Sequence, residues 1–199
     1  MINAFNFEDG KIIDLPLGLS VFCDLDGTLV DTDYANYLAY RRAIKEATHG
    51  MYDVNFSNER LNRESLKKRF ISLTDEQLEL ITSLKSKYFS GFISKTRLNI
   101  ALADLFTSCH RKNTIILVTC CRKMRVMEIL NYYNLFECFS QIICQEDLLL
   151  SGLSNKYEHA IALAGTSPET ILVFENDDIF IEQAIISGVP SGNIYKVFL

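Results

Sequence analysis

The sequence predicts an α/β fold: a parallel sheet covered by helices on both faces. Three observations carry that prediction. From about residue 114 onward, short apolar runs alternate with stretches of helical periodicity. The runs are apolar throughout rather than at every second position, so both of their faces should be buried. Acidic and hydroxyl residues collect just after the runs, which is where ligands bind in an open sheet of this kind.

Taken in order, residues 1–18 read as an N-terminal hairpin extension. Phe5 and Phe7, then Ile12 and Ile13, flank Asp9-Gly10, a dipeptide favoured in tight hairpins, and Pro16 and Gly18 follow as punctuation. Residues 19–23 form a short apolar strand ending at Asp24. From about 33 to 108 the spacing is helical. Tyr37, Tyr40, Ile44 and Ala47 mark one helix, and Leu78, Ile81, Leu84 and Tyr88 a cleaner one. Thr74 and Gln77 make a capping box before the second. Residues 48–60 between them read as a loop. The chain then alternates: strand 114–119, helix 122–133, strand 141–144, helix 155–164, strand 170–174, helix 179–187 and a last strand 193–198.

A chain of 199 residues has room for one α/β domain with a small insertion. Its 48% hydrophobic and 23% charged content is that of a globular protein, not a disordered one. The net charge is −5, the pI is near 5.3 and there is no long basic run, so neither nucleic acid nor membrane is expected as a partner. The cluster Lys67-Lys68-Arg69 reads as a solvated helix face. The chain starts without a basic segment followed by an apolar run, and nothing approaches the roughly 18 apolar residues of a membrane span; a cytoplasmic location is expected. Of the six cysteines, several sit in or beside apolar runs, which points to reduced, buried thiols rather than disulfides. His49, His110 and His159 lack metal-ligand spacing.

The chemistry should lie beyond the strand ends. After the first strand comes Asp24-Leu25-Asp26-Gly27-Thr28-Leu29-Val30-Asp31-Thr32. After the second comes Thr119, and after the fourth Glu175-Asn176-Asp177-Asp178, while Lys156 opens the helix before that fourth strand. Two aspartates two residues apart at a buried strand tip repel each other unless a cation lies between them or their roles differ. Mg2+ takes oxygen ligands and keeps places for water and a phosphate. One carboxylate can attack phosphorus, and a second can protonate the leaving oxygen and then activate water. Gly27 permits a sharp turn whose amides can bind phosphate oxygens. Thr119 can hydrogen-bond the phosphate, and Lys156 can hold its charge and that of the nucleophile. Asp178 is expected to cap the helix beginning near Ile179, and Asp31 to cap a helix or to support a catalytic residue rather than to act as one.

The nonapeptide from Asp24 resembles the nucleophile motif, D-x-D-G-T-[LV]-x-[DE]-[ST], of the haloacid dehalogenase-like hydrolases. Thr119, Lys156 and the acidic stretch from Glu175 follow in that superfamily's order, and residues 184–188 resemble its small-residue helix. The resemblance implies a Rossmann-like parallel core, residues 1–32 and 101–199, with a helical cap at 33–100. It implies Asp24 as nucleophile and Asp26 as acid/base, with Thr119 and Lys156 completing the catalytic set. Candidate phosphate contacts are Gly27, Thr28, Thr119, Cys120 and Lys156, although inert packing is the simpler role for Cys120. Mg2+ is the implied cofactor, held by Asp24, the Asp26 carbonyl and the fourth-motif residues Glu175, Asn176 and Asp177.

The expected activity is Mg2+-dependent hydrolysis of a small phosphorylated metabolite through an aspartyl phosphate. Asp26 separates this reading from the true dehalogenases, whose reaction has no alkoxide to protonate. A sugar-phosphate mutase of the β-phosphoglucomutase type is the alternative enzyme. A catalytically weak phosphate-binding or regulatory protein is the alternative outside catalysis. Three positions depart from the family pattern: Asn176 where Asp is usual, Phe180 where many members carry an acid, and Asn36 where related mutases and phosphatases often carry His.

Overall fold

The structure is a computed structural model, and it describes residues 3–6, 15–57 and 61–199. It divides into two compact units, Met1–Asp31 with Leu98–Leu199, and Thr32–Arg97.

The first unit is built on a six-stranded sheet in the order β1-β8-β7-β2-β5-β6. The strands are β1 (Asn3–Asn6), β2 (Ser20–Cys23), β5 (Thr114–Val118), β6 (Gln141–Ile143), β7 (Ile171–Glu175) and β8 (Ile194–Phe198). Every pairing is parallel. Two-residue strands, β3 (Val30–Asp31) and β4 (Arg97–Leu98), mark where the chain leaves for the second unit and where it returns. The helices of this unit are α4 (Ile100–Cys109), α5 (Lys123–Tyr132), α6 (Gln145–Ser151), α7 (Lys156–Ala164) and α8 (Asp178–Ile186). β2 and β7 are buried at every position, as continuous apolar strands between helical layers must be. One core cluster joins Phe22, Ile116, Val118 and Val173 of the sheet to Tyr157 of α7 and Ile181 of α8.

Several expectations need adjusting. The strand predicted at 170–174 runs Ile171–Glu175, so Glu175 is its last residue and is fully buried. The segment after β6 folds as α6, which the periodicity did not reveal. It is seven residues long, and Leu149 and Leu150 lie exposed on it at 75% and 87%, so it carries no clean apolar stripe. At the N-terminus β1 runs parallel to β8, Asn3 opposite Tyr195 through Asn6 opposite Phe198. The hairpin expected around Asp9-Gly10 lies outside the described residues. The six cysteines are free thiols, five buried and Cys120 exposed.

The second unit contains α1 (Asp33–Ala47), α2 (Arg63–Arg69) and α3 (Asp75–Phe89). Tyr40 and Ile44 of α1, Leu66 of α2 and Leu78 and Ile81 of α3 share its core. The Thr74 capping box forms as predicted: the Gln77 amide donates to Thr74 Oγ1 at 3.2 Å, and the Thr74 amide to Gln77 Oε1 at 3.1 Å. Lys67, Lys68 and Arg69 form the exposed last turn of α2. Asn36 is buried and donates to Thr32 Oγ1 at 3.1 Å, while its own Oδ1 has no hydrogen-bond partner. Among the described residues no helix is long and apolar enough to cross a membrane.

Candidate active site

The site begins where β2 ends. The Asp24 amide donates to the Phe174 carbonyl at 3.0 Å, which continues the ladder one residue past the strand. The chain then turns back on the Leu25 carbonyl, which accepts from the amides of Leu29 at 3.1 Å and Val30 at 2.9 Å. Gly27 makes this turn feasible at φ +85°, in the left-handed region that other residues enter at a cost. From the returning chain, fully buried Asn99 secures the loop. Its Nδ2 donates to the Thr28 carbonyl at 3.1 Å, its amide donates to the Leu29 carbonyl at 2.9 Å, and its Oδ1 caps α4.

Three buried charges meet behind this turn. Lys156 Nζ donates to Asp24 Oδ1 and to Glu175 Oε2, each at 2.7 Å, with Lys156 only 1% exposed. The lysine is the first residue of α7, and the cap Asn155 fixes where that helix starts. Asn155 accepts from the Tyr157 and Glu158 amides, and its Nδ2 donates to the Gln183 carbonyl and Ser187 Oγ at the far end of α8. The Phe180 ring lies 4.0 Å from Nζ, so this departure from the family pattern places an aromatic face against the ammonium. Fully ionised, the trio carries one excess negative charge. Burial and the Glu175 carboxylate therefore push the Asp24 carboxyl up to about 7, against the pull of Lys156. Burial opposes the charge on Lys156, but Asp24 and Glu175 outweigh it and hold the ammonium above the ordinary lysine range.

Glu175 has both oxygens engaged. Oε2 also accepts from the Tyr157 hydroxyl at 2.8 Å, and Oε1 accepts from the amides of Asn176 at 2.8 Å and Asp177 at 3.0 Å. The cap of α8 is Asp177, whose Oδ1 accepts from the Ile179 amide at 2.9 Å; the expected cap, Asp178, instead pairs with Lys196 at 2.5 Å. Helix α8 starts one residue earlier than the apolar pattern indicates, which moves the cap with it. Asp26 Oδ1 accepts from Arg125 Nη2 at 2.7 Å, with both side chains largely buried. Thr119 is buried at the end of β5, where its Oγ1 accepts from the Cys121 amide at 3.2 Å. The Cys120 thiol is pushed up by partial burial; Lys156 lowers it and Asp24, Glu175 and Asp177 raise it, so it lies within electrostatic reach of the site.

The oxygens near Asp24 suit a hard cation in kind. Asp24, the Asp26 carbonyl and the Asn176 carboxamide are candidate donors; Glu175 and Asp177, also expected there, have side-chain oxygens that accept from backbone amides. Among the described residues no three His, Cys, Asp or Glu side chains converge as a metal cluster, so the set is low in charge. The unbalanced negative charge on Asp24 is what a cation there would offset.

The sequence model of the haloacid dehalogenase-like hydrolases matches residues 21–192, nearly the whole chain. The chain belongs to the haloacid dehalogenase-like hydrolases. No curated protein matches its sequence. Solved structures agree on the fold. A haloacid dehalogenase superfamily hydrolase of subfamily IA from Geobacter sulfurreducens is 17% identical, with TM-score 0.65 over 92% of this chain and 87% of that one. CbbY from Rhodobacter sphaeroides, solved in complex with phosphate, is 18% identical, with TM-score 0.69 over 91% and 86%. A predicted phosphoglycolate phosphatase from Haemophilus somnus is 18% identical, with TM-score 0.66 over 90% and 84%.

This haloacid dehalogenase-like hydrolase also uses residues that sequence reasoning did not single out. Tyr157 adds a donor to Glu175, Arg125 holds Asp26, and Asn99 secures the turn. Arg125 carried one faint signal, a basic residue in the first turn of the helix after Thr119. Tyr157 carried none, because it acts on a residue far away in sequence, and Asn99 carried only the signal of a helix cap, not its bond to Thr28.

Proposed function

We propose that the chain is a phosphatase that hydrolyses small phosphomonoesters through an aspartyl phosphate on Asp24. The observation that carries this reading is the buried bridge of Lys156 between Asp24 and Glu175 at 2.7 Å on each side. It holds one carboxylate oxygen of Asp24 at a strand tip and leaves the other to react. That oxygen attacks phosphorus, and the bond to the ester oxygen breaks. Asp26 enters this step protonated on the oxygen that Arg125 does not hold, and gives that proton to the departing alkoxide. Asp26 then takes a proton from water, whose oxygen attacks phosphorus. The bond to Asp24 breaks, freeing phosphate and restoring the carboxylate. Thr119, Lys156 and the turn from Asp26 to Thr28 would receive the phosphoryl oxygens. A Mg2+ ion held by Asp24, the Asp26 carbonyl and Asn176 would supply positive charge to offset that of the phosphate and the nucleophile. The unit Thr32–Arg97 would serve as the cap that selects the substrate.

The test is turnover of p-nitrophenyl phosphate with and without Mg2+, followed by a panel of phosphorylated metabolites. Complete inactivity across the panel would sink the phosphatase reading and favour a phosphate-binding protein.

The role of Asp26 has its own test. Asp26→Asn should slow hydrolysis of alkyl phosphates by about 10²–10⁴-fold and of p-nitrophenyl phosphate far less, since only the alkoxide needs a proton. Equal losses on the two substrate types would remove Asp26 from the acid/base role.

A further inference from the structure

Lys156 lies where two helices meet, and the residue before it makes the join. Asn155 uses both ends of its carboxamide. Its Oδ1 accepts from the amides of Tyr157 at 2.9 Å and Glu158 at 3.2 Å, which starts α7. Its Nδ2 donates to the Gln183 carbonyl at 3.0 Å and to Ser187 Oγ at 2.8 Å, at the C-terminal end of α8. Ser187 also donates to the Gln183 carbonyl, from its amide at 3.0 Å and from Oγ at 2.8 Å, so the two anchors are bonded to each other. The chain arrives at Asn155 through four exposed residues, 151–154. Tyr157 and Ala160 pack α7 into the core with Ile181 and Ala184 of α8. Apolar packing is non-directional, whereas hydrogen bonds fix direction and distance. Asn155 therefore sets where along that surface α7 begins.

We infer that Asn155 is a positioning residue for Lys156: by tying the first turn of α7 to the end of α8, it sets the reach of the ammonium to Asp24. A lysine in water would absorb a shift of its backbone with its flexible four-carbon stem. Lys156 is 1% exposed, its Nζ lies 4.0 Å from the Phe180 ring of α8, and it is bonded at 2.7 Å to Asp24 and to Glu175. With so little room around the side chain, a shift of the helix start passes to the ammonium. Helix α8 thus supplies both the anchor of the backbone and a wall beside the charge. A misplacement on the order of 1 Å can cost about a hundredfold in rate. The inference rests on the phosphatase reading for its effect on turnover, but not for the placement of Lys156.

The test separates the tie from the helix cap. Serine caps a helix about as well as asparagine but lacks the amide nitrogen that reaches α8, so Asn155→Ser keeps one function and loses the other. Turnover of p-nitrophenyl phosphate is compared with wild type well below melting, and the lysine ammonium groups are followed by 15N NMR. Lys156 should give a slowly exchanging ammonium resonance, identified by its loss in Lys156→Arg. In Asn155→Ser kcat should fall about tenfold or more and that resonance should move or broaden, while the melting temperature changes by only a few degrees. An unmoved resonance overturns the inference whatever happens to kcat, because the effect would not pass through Lys156. Wild-type kcat in an active protein overturns it as well. If Asn155→Ser does not fold, Ser187→Ala decides by the same readings, since it removes one of the two anchors and leaves the helix cap whole. If wild type turns over no substrate, the phosphatase reading fails by itself, and the resonance alone decides the positioning role.

Discussion

Asp24→Asn should abolish turnover, by a factor on the order of 10⁴ or more, while the protein remains folded. The amide is nearly isosteric but cannot attack phosphorus. Lys156 keeps its bond to Glu175, and the trio changes from one excess negative charge to a neutral pair. Stability should therefore hold or rise. The sign follows from the raised carboxyl: with a folded value near 7 and an ordinary value near 4, the metal-free wild type loses stability as pH climbs between them. The amide of the variant cannot ionise, so its advantage grows over that interval and is complete above it. Single-turnover kinetics and melting curves at pH 5 and 8 in chelator check both halves. Near wild-type turnover would refute covalent catalysis at Asp24.

Lys156→Met should be the most damaging single change to the fold. It leaves Asp24 and Glu175 facing each other with no cation, and both are buried. Removing one partner of a buried ion pair costs about 3–5 kcal/mol. For a chain of this size that lowers the melting temperature by about 10 °C. The defect should shrink as pH falls from 7 toward 4.5, because protonating Asp24, whose carboxyl is already raised by burial and Glu175, relieves the repulsion. Adding Glu175→Gln should recover part of the lost stability without recovering activity. A melting temperature within a degree or two of wild type would mean the bridge contributes little.

Much of the site could be read from the chain because it is local. The run from Asp24 to Thr32 is contiguous, and Thr119 and Glu175 lie at the ends of apolar runs that must be strands. Lys156 was legible only through its order along the chain, since nothing in its own neighbourhood says that it is buried. Other features depend on which elements become neighbours. That Arg125 meets Asp26, 99 positions earlier, follows from β5 lying next to β2. The Tyr157 bond to Glu175 needs the phase of α7 relative to β7. The sequence marked Asn176 as a departure, but what its amide touches emerges only with the turn at Gly27 in place. Helix α6 was missed because seven residues without a buried stripe give no periodic signal.

β2 is flanked on both sides, by β5 and by β7, and its ladder extends to the Asp24 amide through the Phe174 carbonyl. A strand hydrogen-bonded along both edges cannot release its amides by fraying; neighbouring strands must separate first. Amide hydrogen exchange at residues 21–24 should therefore report the deepest opening of the molecule, close to global unfolding, whereas β6 is, among the described residues, at the margin of the sheet. The proposed nucleophile sits in the part of the chain that would be last to come apart. Heat or denaturant that loosens the sheet margins would leave its backbone frame in place until the whole core gives way.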